Sequence, residues 1–181
     1  MRESLRGQLL IASPALIDPN FRRAVVLVVA HDEDGAVGLV LNRPTETEVA
    51  DAVPELAELV ESGAAVSIGG PVQTEAVVVL AEWDDLEEAG AIVFDDIGLM
   101  GSEADSERVA AATRRVRVFA GYAGWGGGQL EAELEESSWV IEDASADDVF
   151  GEEGDLWASV LRRKGGAFKL VATMPEDPSL N

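Results

Sequence analysis

Apolar residues fall into short runs separated by turn residues, and the period of each run predicts an element. Gln8 to Ala12 is a continuous apolar run of strand length. Ser13, Pro14, Asp18, Pro19 and Asn20 follow as turn residues, because proline fixes its own φ and biases its predecessor away from helix. Ala24 to Ala30 is rich in β-branched residues, His31 to Gly35 has hairpin-turn chemistry, and Ala36 to Leu41 returns as a second strand. Both runs are apolar at odd and even positions, which predicts a hairpin at the centre of a sheet.

From Thr47 to Ser62 the apolar spacing turns helical, with Pro54 dividing two short helices and Gly63 ending the second. Strands are predicted at Ala64 to Ile68, Ala76 to Ala81, Ala91 to Phe94, Val116 to Tyr122, Trp139 to Ile141 and Phe168 to Ala172. Asp84 to Gly90 reads as an exposed acidic connection. Helices are predicted at Ser102 to Arg115, opened by Ser102 and Asp105 at capping-box spacing, at Gln129 to Ser137, and at Asp155 to Lys164. No repeat or separating linker interrupts the chain, so the economical reading is one α+β domain over 1–181, with 175–181 a loose tail.

Charge changes the picture most. The 13 Lys+Arg stand against 35 Asp+Glu, a net charge of −22. Affinity for nucleic acid comes from cations replacing phosphate counterions, so direct nucleic-acid binding is disfavoured. The acids are segregated into two stretches without a base, 81–107 and 124–151, flanking an arginine island of Arg108, Arg114, Arg115 and Arg117. The first 23 residues, with Arg2, Arg6, Arg22 and Arg23, are net positive. Solvated helix faces and internal ion pairs are the expected use of the island. The absence of cysteine excludes thiolate metal sites and cysteine nucleophiles. No run reaches the roughly 18 apolar residues of a membrane helix, and the N-terminus lacks secretory-signal features, so a cytoplasmic location is expected.

The glycine cluster Gly121 to Gly128, broken by Tyr122, Ala123 and Trp125, is the leading candidate for chemistry. Its amides ahead of a helix start suit an anion, yet it matches neither the dinucleotide fingerprint nor a Walker A loop, and it equally suits a tight strand-to-helix connection. His31 is the one histidine, the residue type whose unperturbed pKa lies near neutrality, and without a nucleophile elbow it reads as a hydrogen-bonded turn residue. Arg43 either clamps an anion bidentately or pairs with an acid. The acid pairs Asp84-Asp85, Asp95-Asp96 and Asp147-Asp148 lack calcium-loop spacing and read as solvated charge. Trp83, Trp125, Trp139 and Trp157 adjoin apolar segments and read as core.

Several strings in order resemble the AlgH/YqgE family: GQLLIASPALIDPNFRRAVVLVVAHDEDGAVGLVLNRP (7–44), GGPV (69–72), GYAGWGGGQLEAEL (121–134) and PSLN (178–181). The chain departs from the family pattern at Gly127, where proline is usual, at Ala24, where threonine is common, and at Ala30, where glutamate precedes the histidine. The resemblance implies a strongly bent mixed β-sheet, folded toward a pseudo-barrel and flanked by short helices. Family members are often labelled transcriptional regulators, and the family supplies no agreed catalytic residues. Candidate ligand or partner positions within the shared motifs are Asn42, Arg43, Gly69, Gly70, Tyr122, Gly124, Trp125 and Gln129.

No complete catalytic constellation accompanies these motifs. The expected function is a non-enzymatic cytoplasmic regulatory or adaptor protein. It binds an unidentified protein or small-molecule partner at a surface built from the glycine-rich segment and Asn42-Arg43, with no membrane, metal or cofactor. Two readings stand beside it. One is a hydrolase or transferase using His31 or an acidic residue with an anion site on the glycine amides. The other is a transcriptional regulator contacting DNA directly, which the charge opposes.

Overall fold

The computed structural model describes residues 4–151 and 154–175, so the PSLN string lies outside the described residues. Ten strands form one bent sheet with short helices packed against it. Its main path runs β10 (Trp139–Asp143), β1 (Gln8–Ala12), β2 (Val25–Asp32), β3 (Gly35–Val40), β9 (Thr113–Gly126), β6 (Val72–Trp83), β8 (Ile97–Leu99) and β7 (Ala91–Phe94). Beside this path, β5 (Ala65–Ile68) pairs parallel with β9 and antiparallel with β4 (Pro44–Glu48). The other pairings are antiparallel, so the sheet is mixed. It curls without closing: Gly7 lies so close to β7 that a Cβ there would sit 2.9 Å from the Phe94 Cβ.

The central hairpin forms as its sequence demands. Leu9, Ile11, Val25, Leu27 and Leu39 face one core, while Leu10, Val26, Val28 and Val40 face another. Helix α5 (Leu156–Lys164) covers the first core with Trp157, Val160 and Leu161. Helix α3 (Gln129–Glu135) covers the second with Leu130, beside a cluster of Phe21, Trp125 and Trp139. A third core lies under α1 (Val49–Ala52), the 3-10 turn Pro54–Leu59 and α2 (Ser106–Ala112), against Val66, Val79, Trp83 and Val118. Pro54 does divide two short helical segments, as its position predicts.

Strand β9 carries the bend. Phe119 packs in the first core while Val118 and Ala120 face the third. In an uninterrupted strand residues 119 and 122 face opposite sides, yet Tyr122 packs against the first core, and Ala123 and Trp125 turn into the second. Gly121, at φ +74°, causes the slip, and the β6 register jumps opposite it between Val72 and Val77.

Three expectations need correction. The strand expected to end at Tyr122 runs on through Gly126, because Ala123 to Gly126 pair with β3 and do not serve as a connection. The helix expected at Ser102 to Arg115 spans only Ser106–Ala112, capped by Asp105, since Thr113 to Arg115 are drawn into pairing with β6. Phe168 to Ala172 is no closing strand but the short helix α6 (Phe168–Val171). The outer carbonyls of β10 are already occupied, Ile141 by Lys164 at 2.7 Å and Asp143 by Arg163 at 3.0 Å. Strands β4 and β8 and helix α4 (Ala146–Phe150) were not legible as elements.

Candidate functional site

The shared-motif residues separate into two groups. The first is a corner where three chain segments run side by side: Ile68 N–H donates to the Arg43 carbonyl at 2.8 Å, Val40 N–H to Gly69 at 2.8 Å, and Gly69 N–H to Ala120 at 2.9 Å. Asn42, Arg43, Gly69, Gly70 and Gly121-Tyr122 therefore adjoin. The glycines are dictated by contact. A Cβ on Gly69 would lie 2.3 Å from the Gly121 carbonyl oxygen, and one on Gly70 2.2 Å from the Tyr122 carbonyl carbon. Tyr122 is half-buried and packs with the first core.

Asn42 acts on the backbone across from it. Its Nδ2 donates to the Arg23 carbonyl at 2.8 Å, and its Oδ1 accepts the Val25 N–H at 2.9 Å. Ala24 lies between these contacts, and Arg23 just before it is at φ +56°, a left-handed conformation that costs an L-residue about 1–2 kcal/mol. The guanidinium of Arg23 stacks over Trp157, 4.3 Å from the ring centroid, and donates to the Met174 carbonyl. Arg43 donates to the carbonyls of Asn42 and Arg22. Arg22, Arg23, Asn42 and Arg43 line an open cleft of about 580 Å³ with Trp157 and Ile17, the latter 76% exposed. Sequence reading singled out Asn42 and Arg43 but not Arg22, Arg23 or Trp157. The Arg22-Arg23 pair in a net-positive N-terminal segment was the available signal.

The second group lies on the other face of the central hairpin. Trp125 is in the second core and Gly124 is exposed. Gln129 Oε1 accepts the Gly126 N–H at 3.0 Å, and its Nε2 donates to Glu133 Oε2 at 3.1 Å. Glu133 Oε1 receives two indole N–H groups, from Trp125 at 3.2 Å and Trp139 at 3.0 Å. One carboxylate thus ties α3 to two buried tryptophans. Glu133 was hidden among the acids of its stretch, although its spacing of four from Gln129 put both on one helix face.

His31 is held at both nitrogens. Nδ1 accepts the Leu5 N–H at 2.9 Å, which puts the ring proton on Nε2, 2.6 Å from Glu131 Oε1. It is the hydrogen-bonded turn residue expected.

Arg108, Arg114 and Arg115 of the arginine island are spent on ion pairs. Buried Glu82 accepts from Arg115 at 2.9 Å through each oxygen and from Arg114 at 3.3 Å. Arg114 also reaches Asp84 and Asp96, and Arg115 reaches Asp147 at 3.5 Å. Arg115, then Arg114, holds the Glu82 carboxyl below the usual range against the opposing effect of burial. Arg117 donates to the carbonyls of Leu41 and Val149 and to Ser67 Oγ, tying α4 to the corner described above. Among the described residues no group of three or more His, Cys, Asp or Glu is arranged to hold a metal ion, and no helix is long and apolar enough to cross a membrane.

A bent, open mixed sheet with a glycine-packed corner defines the class of protein. The family model described as AlgH-like matches residues 9–169, and the chain belongs to that family. A UPF0301 protein of Streptomyces coelicolor is 46% identical over 191 residues, 98% of this chain and 96% of the relative. One from Thermobifida fusca is 42% identical over 192 residues, 99% and 97% of the two chains. The crystal structure of DIP2367 from Corynebacterium diphtheriae is similar with a TM-score of 0.86 at 28% identity, over 96% of this chain and 93% of that one. The solution structure of AlgH from Pseudomonas aeruginosa gives 0.69 at 29% identity, over 97% and 98%.

Proposed function

We propose that the protein is a non-enzymatic cytoplasmic regulatory or adaptor protein that binds its partner or ligand in the cleft beside Asn42 and Arg43. The observation that carries this reading is the cleft itself: the candidate positions Asn42 and Arg43 line it together with Arg22 and Arg23 of the same shared string. The glycine-rich end of β9 contributes to the frame that holds the cleft and makes no part of the binding surface. Engagement of both His31 nitrogens speaks against a general base there. The net charge of −22 speaks against direct DNA contact.

Affinity capture from a cell extract and ligand-induced thermal shifts, run on the unaltered chain and on Arg43→Ala, Tyr122→Ala and Gln129→Ala, test the reading. Arg43→Ala is expected to remove a captured partner or a ligand-induced shift. Tyr122→Ala and Gln129→Ala should lower the melting temperature while leaving binding in place. If Arg43→Ala leaves every interaction unaltered, the cleft is not the binding surface. Turnover in a broad substrate screen that is lost on His31→Ala promotes the hydrolase or transferase reading instead.

A further inference from the structure

Four arginines elsewhere in this chain are matched to carboxylates: Arg108 to Glu88, Arg114 and Arg115 to Glu82, and Arg163 to Asp148. Arg23 is held by other contacts. In a chain with 35 acids its partners are a backbone carbonyl and the face of Trp157, which orient a guanidinium without neutralising it. Its backbone is in the left-handed region with its carbonyl anchored by Asn42, and strain of this kind concentrates at functional sites where position matters. Arg22 and Arg43 line the same cleft. Asp155, the one carboxylate lining it among the described residues, accepts the Ala158 N–H at 3.1 Å as the cap of α5. The volume, about 580 Å³, suits a small molecule, and Ile17 and Trp157 provide apolar wall.

We infer that the cleft binds a small organic oxyanion, a phosphate ester or a polycarboxylate, whose charged group is gripped by Arg23 with Arg22 and Arg43 beside it. Guanidinium forks match both oxyanions bidentately, so the two sources share one chemistry. The inference rests on the cleft being the binding surface and names what it takes.

Calorimetric titration of the full chain at low salt, with pyrophosphate in one arm and citrate in the other, tests it. One probe is expected to bind with 1:1 stoichiometry and a dissociation constant below about 1 mM. Arg23→Gln and Arg22→Gln should each weaken it about tenfold or more, while Arg162→Gln, an exposed cation outside the cleft, should not. Trp157 lies under Arg23, so binding should also change tryptophan emission, a change lost in Trp157→Phe. The pyrophosphate arm alone saturating identifies a phosphate ligand, and the citrate arm alone a carboxylate. Melting curves check that Arg23→Gln remains folded, and Arg22→Gln on the exposed rim provides a second variant. Failure of both probes to saturate, or binding indifferent to both arginine changes, overturns the inference. Arg43-dependent partner capture in that event leaves the cleft as a binding surface for something other than an oxyanion.

Discussion

Asn42 anchors the carbonyl of the left-handed Arg23 at 2.8 Å and accepts the Val25 N–H at 2.9 Å, closing a ring of two hydrogen bonds around Ala24. Removing the amide leaves the Val25 N–H, at a fully buried residue, without its partner. An orphaned buried group costs about 1–3 kcal/mol, and at this chain length each kcal/mol moves Tm by roughly 2–4 °C. Asn42→Ala should therefore lower Tm by several degrees. Asn42→Asp keeps the acceptor but sets a carboxylate oxygen against the Arg23 carbonyl, so it should lower Tm as well. Arg23→Gly relaxes the φ strain, so the double change with Asn42→Ala should cost less than the two single changes added. Additive costs in urea unfolding would show that the amide and the strained residue are independent.

Glycine positions of this fold should divide sharply by contact. A Cβ at Gly69 or Gly70 meets backbone atoms at 2.2–2.4 Å, which cannot move without parting β5 from β9. Gly69→Ala and Gly70→Ala are expected to abolish soluble folded protein. Gly63 and Gly128 have φ of +85° and +81° but open space around them, so alanine there should cost only the left-handed penalty, about 1–2 kcal/mol. Soluble yield and urea midpoints of the four variants measure the division. Folded Gly70→Ala of near-normal stability would contradict the crossing described here.

Glu133 serves three donors, and its neutral variants should not be equivalent. Glu133→Ala orphans the indole N–H groups of Trp125 and Trp139, both in residues less than one-tenth exposed, at about 1–3 kcal/mol each. Glu133→Gln keeps an acceptor for the indoles but turns an NH2 toward the Gln129 NH2. Gln129→Glu in the same chain accepts from that NH2 and still accepts the Gly126 N–H. The double change should recover stability lost in Glu133→Gln, read by thermal unfolding with tryptophan emission as the local probe. No recovery would mean that the amide–carboxylate contact contributes nothing.

The parts of the fold legible in the sequence are those set by local pattern. Gln8 to Ala12 was read to its observed ends, and the β2–β3 hairpin was placed at the centre of the sheet because its runs are apolar on both faces. Contacts distant in sequence decided the rest. Thr113 to Arg115 continue a good helical pattern, yet pairing with β6 and the ion pairs to Glu82 pull them into β9. Phe168 to Ala172 has strand composition, yet Arg163 and Lys164 take two carbonyls of the edge strand β10 and the segment forms the short helix α6. The strand predicted to end at Tyr122 is carried on to Gly126 by pairing of Ala123 to Gly126 with β3. Among the candidate site residues, Asn42 and Arg43 were identified by motif. Arg23 was not, since a positive φ at an arginine has no sequence signature.

The charge that dominates the composition makes two opposite predictions, separable by depth. Glu82 is buried, and Arg115 and Arg114 hold its carboxyl below the usual range. Its ion pairs therefore contribute fully above the unfolded carboxylate value of about 4.3, and that contribution is lost as pH falls through the lower folded value. The stability difference between the unaltered chain and Glu82→Gln should shrink as pH is lowered below about 4. Exposed acids act the other way. With a net charge of −22 their mutual repulsion is long-ranged, whereas the Glu82–Arg115 contacts are only 2.9 Å long and half-buried. Raising salt from about 0.01 M to about 1 M shortens the screening length from roughly 30 Å to roughly 3 Å, which removes the repulsion before it weakens the pair. Tm at neutral pH should therefore rise with salt, by similar amounts in the unaltered chain and in Glu82→Gln. A fall in Tm with salt that disappears in Glu82→Gln would mean the arginine array, not surface repulsion, governs the response.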